Sequence, residues 1–406
     1  MKLSRIGRFG LALVVSVAMG LGMTSCGGGT IGYMWVLGTQ FNNIAALKID
    51  DFTGNLTTAV GSPFPSGGTN PVMLALKSGG RYLYVLNQGS PNISLFAVGG
   101  DGILTFQESF TSQGKNPVWL TTDSTGNFLF VLDQQSPDFA TTGNGEITAF
   151  SLDTNTGRPS LITNAQVKNG NGTNVPYFEV GQNPIQFRYS SSGCLYTLDN
   201  GGGGQNVFPY SVSSTNGQLT QPTNSTIALN TANATSVNVG GSFIYVTDAG
   251  STAGGPGSIV PFTAGTACSL EPVTGGTVSN LTGTSNPMQT LTVTGSGGTT
   301  YLYVLNHSNT NTNYANSSIS AFTILANGQL QAVGDTLNPY AVGSGPVCIV
   351  EDPTNQYLYT SNQGDGTVTG KLINKSTGQL SSLTRTTQFT AVGLATCLVV
   401  SGNTGL

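Results

Sequence analysis

The chain has 406 residues, with 13 Lys and Arg against 17 Asp and Glu, a single His, five Cys and only 7% charged residues. An acidic chain without a basic cluster is poorly suited to binding phosphate backbones, which sets nucleic acid aside as a partner. Disorder needs high net charge and few aromatics, and this composition has neither.

The N-terminus reads as an export signal. Lys2, Arg5 and Arg8 form a basic head, and an apolar run follows that is too short for a spanning helix. The segment ends in "MTSC" at Cys26, which resembles a bacterial lipobox in which the Cys becomes the lipidated first residue. The expected division is a signal over 1–25, a lipidated Cys26 with a short tether over 26–32, and one domain over 33–406. The alternative is ordinary secretion with Cys26 as a bystander. Gly27 follows Cys26 where an Asp would retain a lipoprotein at the inner membrane, so the expected location is the outer membrane. Removal of the signal leaves 10 basic against 17 acidic residues, a net −7. Export also makes disulfides possible.

After the signal the chain repeats itself. "YMWVLG" at 33–38 returns as "YLYVLN" (82–87), "FLFVLD" (128–133), "CLYTLD" (194–199), "FIYVTD" (243–248), "YLYVLN" (301–306) and "YLYTSN" (357–362). Each copy precedes a second strand-like run such as "NISLFAVG" or "SISAFTIL", then most often a Gly-x-Leu turn such as "GQL". A Pro-led run such as "NPVMLAL" or "NPVWLTT" precedes most copies. Four short β segments per unit, punctuated by Gly, Asn and Pro, with no sustained helical period, predict an all-β, seven-bladed propeller of four-stranded antiparallel blades. Runs such as "YLYVL" fit strands buried on both faces between neighbouring blades. The first copy has no Pro-led run before it, whereas "ATCLVVSG" near the C-terminus has that shape. The tail is therefore expected to supply the inner strand of the first blade and close the ring. Pro209 and Pro261 share one position in the third strand, where Pro should be excluded unless the strand bulges or that N–H faces solvent.

"YVLN", "FVLD", "YVTD" and "YTSN", with the Pro-led, "ISxF" and "GxL" segments, resemble the YVTN repeat and the lactonase family that includes 6-phosphogluconolactonase. The resemblance implies lactone hydrolysis by His, Glu and Arg around a cleft on one face. With one His, the sequence departs from that pattern.

Loops that enter the inner strand and loops that join strands two and three share one face of a propeller. Here they lengthen in blades three to six, so that face is expected to bind the ligand. On it, His307 is the candidate general base for opening a lactone, with Glu146, Glu179 or Asp199 to orient it. Arg188 is the candidate partner for an anionic group or oxyanion. The plainer alternative is an exposed loop His and an Arg filling a gap between blades. Asn87, Asp133, Asp199, Asp248, Asn306 and Asn362 recur at one position. They form either a polar ring at the channel mouth or caps on their own turns. "DNGGGG" at 199–204 lacks a following Lys-Ser/Thr and a helix, so it is not a phosphate loop. No metal-ligating pattern or cofactor motif is found, and neither a metal nor a cofactor is expected. Among Cys194, Cys268, Cys348 and Cys397 a 194–268 pair is possible across neighbouring blades. Cys348 and Cys397 hold equivalent positions whose side chains should point the same way round the ring, which argues against their bonding unless strand twist turns both to the channel. The pairing stays open.

Two functions follow. One is a lipid-tethered binding or scaffold module of the envelope, whose partners are the membrane through Cys26 and a glycan, protein or small molecule on the long-loop face. The other is hydrolysis of a neutral sugar-type lactone. A phosphorylated lactone fits less well, because a phosphate dianion needs several cations or a helix N-terminus.

Overall fold

The computed structural model describes residues 29–137, 143–201, 204–222, 226–251, 257–279, 286–307 and 317–402. Its strands form seven antiparallel sheets, in the blade order the repeat predicts. From the channel outward, blade two runs Pro71–Leu76, Tyr82–Asn87, Asn92–Val98 and Leu104–Phe110. Blade one takes Ala395–Gly402 as its innermost strand, antiparallel to Thr30–Gly38, with Trp35 opposite Val399 and Val36 opposite Leu398. The tail closes the ring as expected.

The fourth strand is shorter than the repeat implies. In five blades it splits into two pieces that both pair with strand three, as Leu56–Thr58 and Phe64–Pro65 do with Asn43–Asp50 in blade one. This split resolves the two prolines. Pro209 lies opposite Tyr196, and Pro261 opposite Tyr245, in unbroken register with strand two, so neither strand bulges there. The outward edge at that position is free of ladder pairing in both blades. At the equivalent residues Ala46 and Ala321, the N–H donates outward to loop side chains Ser62 and Asn338. Proline omits a donor that had no strand to meet.

A repeated contact joins the blades. The glycine of each Gly-x-Leu turn adopts φ between 67° and 82° (Gly54, Gly102, Gly157, Gly217, Gly328, Gly378). A side chain is disfavoured there, and a Cβ would also fall 2.4–2.7 Å from the ring of Tyr357, Tyr33, Tyr82, Phe128, Phe243 or Tyr301 of the preceding blade. The second aromatic of that same strand then donates to the glycine carbonyl. Trp35 reaches Gly102 O at 3.1 Å, Tyr84 reaches Gly157 O at 2.6 Å and Tyr245 reaches Gly328 O at 3.2 Å. Tyr303 reaches Gly378 O at 3.0 Å, and Tyr359 crosses the closure to Gly54 O at 2.7 Å.

Between blades four and five the contact is replaced. Cys194 stands where the first aromatic belongs and Cys268 where the glycine belongs, at φ 67°. The two form a disulfide across 74 residues. Here the buried Tyr196 hydroxyl has no hydrogen-bond partner among the described residues. The disulfide thus performs the joining that ring and glycine perform elsewhere. Replacing both cysteines by Ser is expected to cost about 2–5 kcal/mol in urea unfolding. Cys194→Tyr with Cys268→Gly, which restores the repeat, is expected to recover more than half of that loss.

Candidate functional site

The repeated Asn or Asp at the end of strand two neither rings the channel nor, in most blades, caps its own turn. In blades two, six and seven it is a buried Asn that donates to hydroxyls on strand three. Asn87 Nδ2 meets Ser94 at 3.1 Å, Asn306 meets Ser320 at 3.0 Å, and Asn362 meets Thr369 at 2.9 Å. The Thr369 hydroxyl in turn accepts the Gly343 N–H of the loop entering the inner strand. Only Asp248 binds backbone in the expected manner, accepting the N–H groups of Asn233 at 2.7 Å and Gly250 at 3.0 Å.

Blades three and four break this pattern with acids. Asp133 and Glu146 face each other across strands two and three, and both are fully buried. Ser112 donates to Asp133 Oδ1 and Thr148 to Glu146 Oε1, and among the described residues no donor reaches Asp133 Oδ2 or Glu146 Oε2 at hydrogen-bonding geometry. Two carboxyls hydrogen-bond only through a proton held between them. Burial lifts Asp133 to about 6. Burial, and then the neighbouring Asp133 charge, lift Glu146 well above the carboxylate range. The pair therefore holds a proton more tightly than either carboxyl would alone in water.

Asp199 is more exceptional. Phe208 takes the strand-three position where Ser94, Ser320 and Thr369 supply a hydroxyl in other blades. Asp199 is 1% exposed, and among the described residues no donor reaches either oxygen at hydrogen-bonding geometry. Burial lifts it to about 7, with Thr197 and the Gly181 backbone pulling weakly the other way. A Cβ on Gly181 would lie 2.0 Å from Asp199 Oδ2, so only glycine lets the backbone cover this carboxyl.

Gly181 also lines a cleft of ≈ 360 Å³ on the long-loop face, with Asn144, Glu179, Gln182, Asn206, Phe208, Tyr210 and Gln221 among its walls. Glu179 is exposed at its rim and accepts the Asn144 side-chain N–H at 2.9 Å. The Tyr210 hydroxyl donates to the Glu179 carbonyl at 3.2 Å. Burial first, then the Asp199 and Glu179 charges, keep that phenol protonated.

Of the five expected site residues, the structure thus brings together Glu179 at the cleft and Asp199 behind its floor. Glu146 pairs with Glu179 across adjacent strands, but its carboxyl turns to Asp133. His307 lies at the end of a blade-six strand, half-buried, its N–H bonded to Asn286 O at 3.0 Å; burial lowers its pKa. Arg188 extends from the inner strand of blade four, its guanidinium carbon 4.5 Å from the Trp119 ring centre. Burial lowers it to about 10, so it stays protonated at neutral pH. Neither His307 nor Arg188 lines the cleft. Cys26 lies outside the described residues. Sequence reasoning left Asp133 out of the site and missed Phe208, Tyr210 and Gly181. The legible signal was an acid where three blades carry Asn, coupled in blade four with the loss of a strand-three hydroxyl.

Residues 275–400, which span the end of blade five through the closing strand, match the family described as Lactonase, 7-bladed beta-propeller. That stretch resembles the family, and the fold of the whole ring is a seven-bladed propeller. Its fold is shared with a periplasmic gluconolactonase of Pseudomonas aeruginosa at 16% identity and TM-score 0.64, covering 91% of this chain and 99% of that one. A Bacteroides fragilis protein described as a candidate 6-phosphogluconolactonase aligns at 17% identity and TM-score 0.64, over 93% and 99%. A Lactobacillus plantarum protein aligns at 16% and TM-score 0.66, over 92% and 100%. No curated protein matches the chain in sequence.

The raised carboxyls fix the sign of the pH dependence. A folded state that keeps its carboxyl protons longer than the unfolded chain is most stable below the unfolded values near 4, and loses that stability as pH rises toward 7. Urea midpoints are therefore expected to fall from pH 4.5 to pH 7.5. Asp199→Asn is expected to flatten that slope by on the order of 2 kcal/mol.

Proposed function

We propose that this chain is an exported propeller, tethered to the envelope through a lipid on Cys26, that binds a neutral polyhydroxylated ligand in the blade three–four cleft. The lining of the cleft carries the reading. Asn144, Gln182, Asn206 and Gln221 offer amide donors and acceptors, Glu179 a carboxylate, and Phe208 and Tyr210 aromatic surface. Hydroxyl-rich ligands need this combination of directional polar groups on an apolar floor. None of the described residues lining the cleft is a cation, which disfavours a phosphorylated ligand. The Cys194–Cys268 disulfide agrees with an oxidising, extracytoplasmic location.

Hydrolysis of a neutral lactone in the same cleft is the second reading. Two structural relatives are described as gluconolactonases of one kind or another, and Asp199, lifted to about 7, is suited to general-base work. Binding comes first because Asp199 sits behind the Gly181 backbone rather than in the cleft.

Calorimetry with glucono-1,5-lactone, gluconate and neutral oligosaccharides, alongside pH-stat turnover, separates the two. Binding weakened about tenfold or more in Glu179→Ala and Phe208→Ala, with no turnover, is the expected result. Turnover abolished in Asp199→Asn would install the hydrolase reading. Equal affinity in both cleft variants and wild type would remove the cleft as the site.

A further inference from the structure

A second departure from the repeat lies on the opposite side of the ring, in the inner strands of blades seven, one and two. In blades four and six, the side chain two residues beyond the start of the inner strand reaches the backbone of the next blade. Gln186 Oε1 accepts the Val237 N–H at 2.9 Å, and Gln289 Oε1 accepts the Ile349 N–H at 2.8 Å. In blades seven, one and two this position holds Cys348, Cys397 and Met73. Equivalent positions were expected to keep the two thiols apart. Instead, because each reaches forward to the next blade, they meet. Cys348 Sγ lies 3.6 Å from Cys397 Sγ, and Cys397 Sγ lies 3.4 Å from Met73 Sδ. Both cysteines are free thiols, although the same chain carries a disulfide elsewhere.

We propose that Cys348, Cys397 and Met73 form a binding site for a soft monovalent cation, copper(I). Four observations support the assignment. The ligand set is two thiols and a thioether, the donors that select copper(I) over harder ions. Among the described residues no group of three His, Cys, Asp or Glu is placed to hold a metal, so a tetrahedral zinc site has no fourth ligand here. Metal–sulfur bonds of about 2.3 Å put the sulfurs of a trigonal site about 4 Å apart, so this triad opens by about half an ångström, which the flexible Met side chain accommodates. Charge also balances. One copper(I) replaces two thiol protons and leaves a −1 centre, and Arg188 lies in the same channel close enough to act electrostatically on both thiols.

An entry path lies over the same three blades. Three residues further along each strand come Leu76, Glu351 and Val400, which line a cavity of ≈ 510 Å³ at the face opposite the long loops. That mouth is about 10 Å from the sulfurs at strand rise. Glu351 and Asp352 line it and favour entry of a cation, although Lys77 is also present.

The test titrates the mature chain, Cys194–Cys268 intact, with copper(I) acetonitrile salt against bicinchoninate without oxygen, and measures sulfur coordination by copper K-edge absorption. One equivalent bound through three sulfurs is expected. Affinity should fall about 100-fold in Cys348→Ser and Cys397→Ser, and about 10-fold in Met73→Leu. Met73→Leu conserves volume, so it keeps the test valid if the Ser variants fail to fold. Three outcomes overturn the proposal: copper left wholly with bicinchoninate, affinity unchanged in the variants, or isolation of the chain with Cys348 and Cys397 already joined in a disulfide.

Discussion

The ring is held by a glycine that cannot be anything else. At six of the seven interfaces a blade offers its neighbour a glycine in the left-handed region on which the neighbour lays an aromatic ring, and at five of them a second aromatic donates to that glycine's carbonyl. The arrangement joins backbone conformation to packing: a Cβ would be disfavoured by φ and would also strike the ring. It also satisfies a buried indole or phenol, which if left unpaired would cost about 1–3 kcal/mol. Because the contact always runs from one blade to the next, it cycles through the closure, where Tyr359 of blade seven binds Gly54 of blade one. Closure by the tail and the aromatic–glycine contact are therefore one constraint seen at two radii, strand pairing at the channel and ring packing outside it.

That constraint explains which parts of the molecule could be read from the sequence. "YLYV" and "GxL" recur because each is half of an interblade contact, so blade number, strand order and closure were all legible. The split fourth strand was not, because a segment of two or three residues pairing on one side leaves no periodicity. Pro209 and Pro261 looked anomalous because strand three was taken to be paired along both edges; the outward edge is open at that point. The Cys194–Cys268 bond could be weighed only as a possibility, although both residues stand at the two positions of the contact. Seeing Cys268 as a substitute for glycine requires knowing what the glycine does.

The candidate site was legible in composition and not in geometry. Glu179 and Asp199 meet because strand 178–182 adds to the edge of blade three and carries Gly181 over the first strands of blade four. His307 sits in blade six, and no pattern within a repeat reports the angle between two blades. The same limit hid the sulfurs. Cys348 and Cys397 were recognised as equivalent, and equivalence in a ring was taken to mean parallel side chains. The inner-strand position that bears them reaches forward onto the following blade, so equivalent side chains on adjacent blades can touch.

Both unusual sites arise from one kind of change. Blades two, six and seven pair the strand-two Asn with a strand-three hydroxyl, and the inner strands of blades four and six place Gln against a neighbouring N–H. Blade four keeps an acid but substitutes Phe208 for the hydroxyl, leaving a buried carboxyl without a donor. Blades seven, one and two replace the amide with sulfur, which leaves soft donors facing one another. In a scaffold where the repeat itself satisfies buried polar groups, a position that gives up its standard partner retains unspent chemical capacity. The two such positions lie on opposite sides of the channel and involve different blades, so a change at one is not expected to disturb the other.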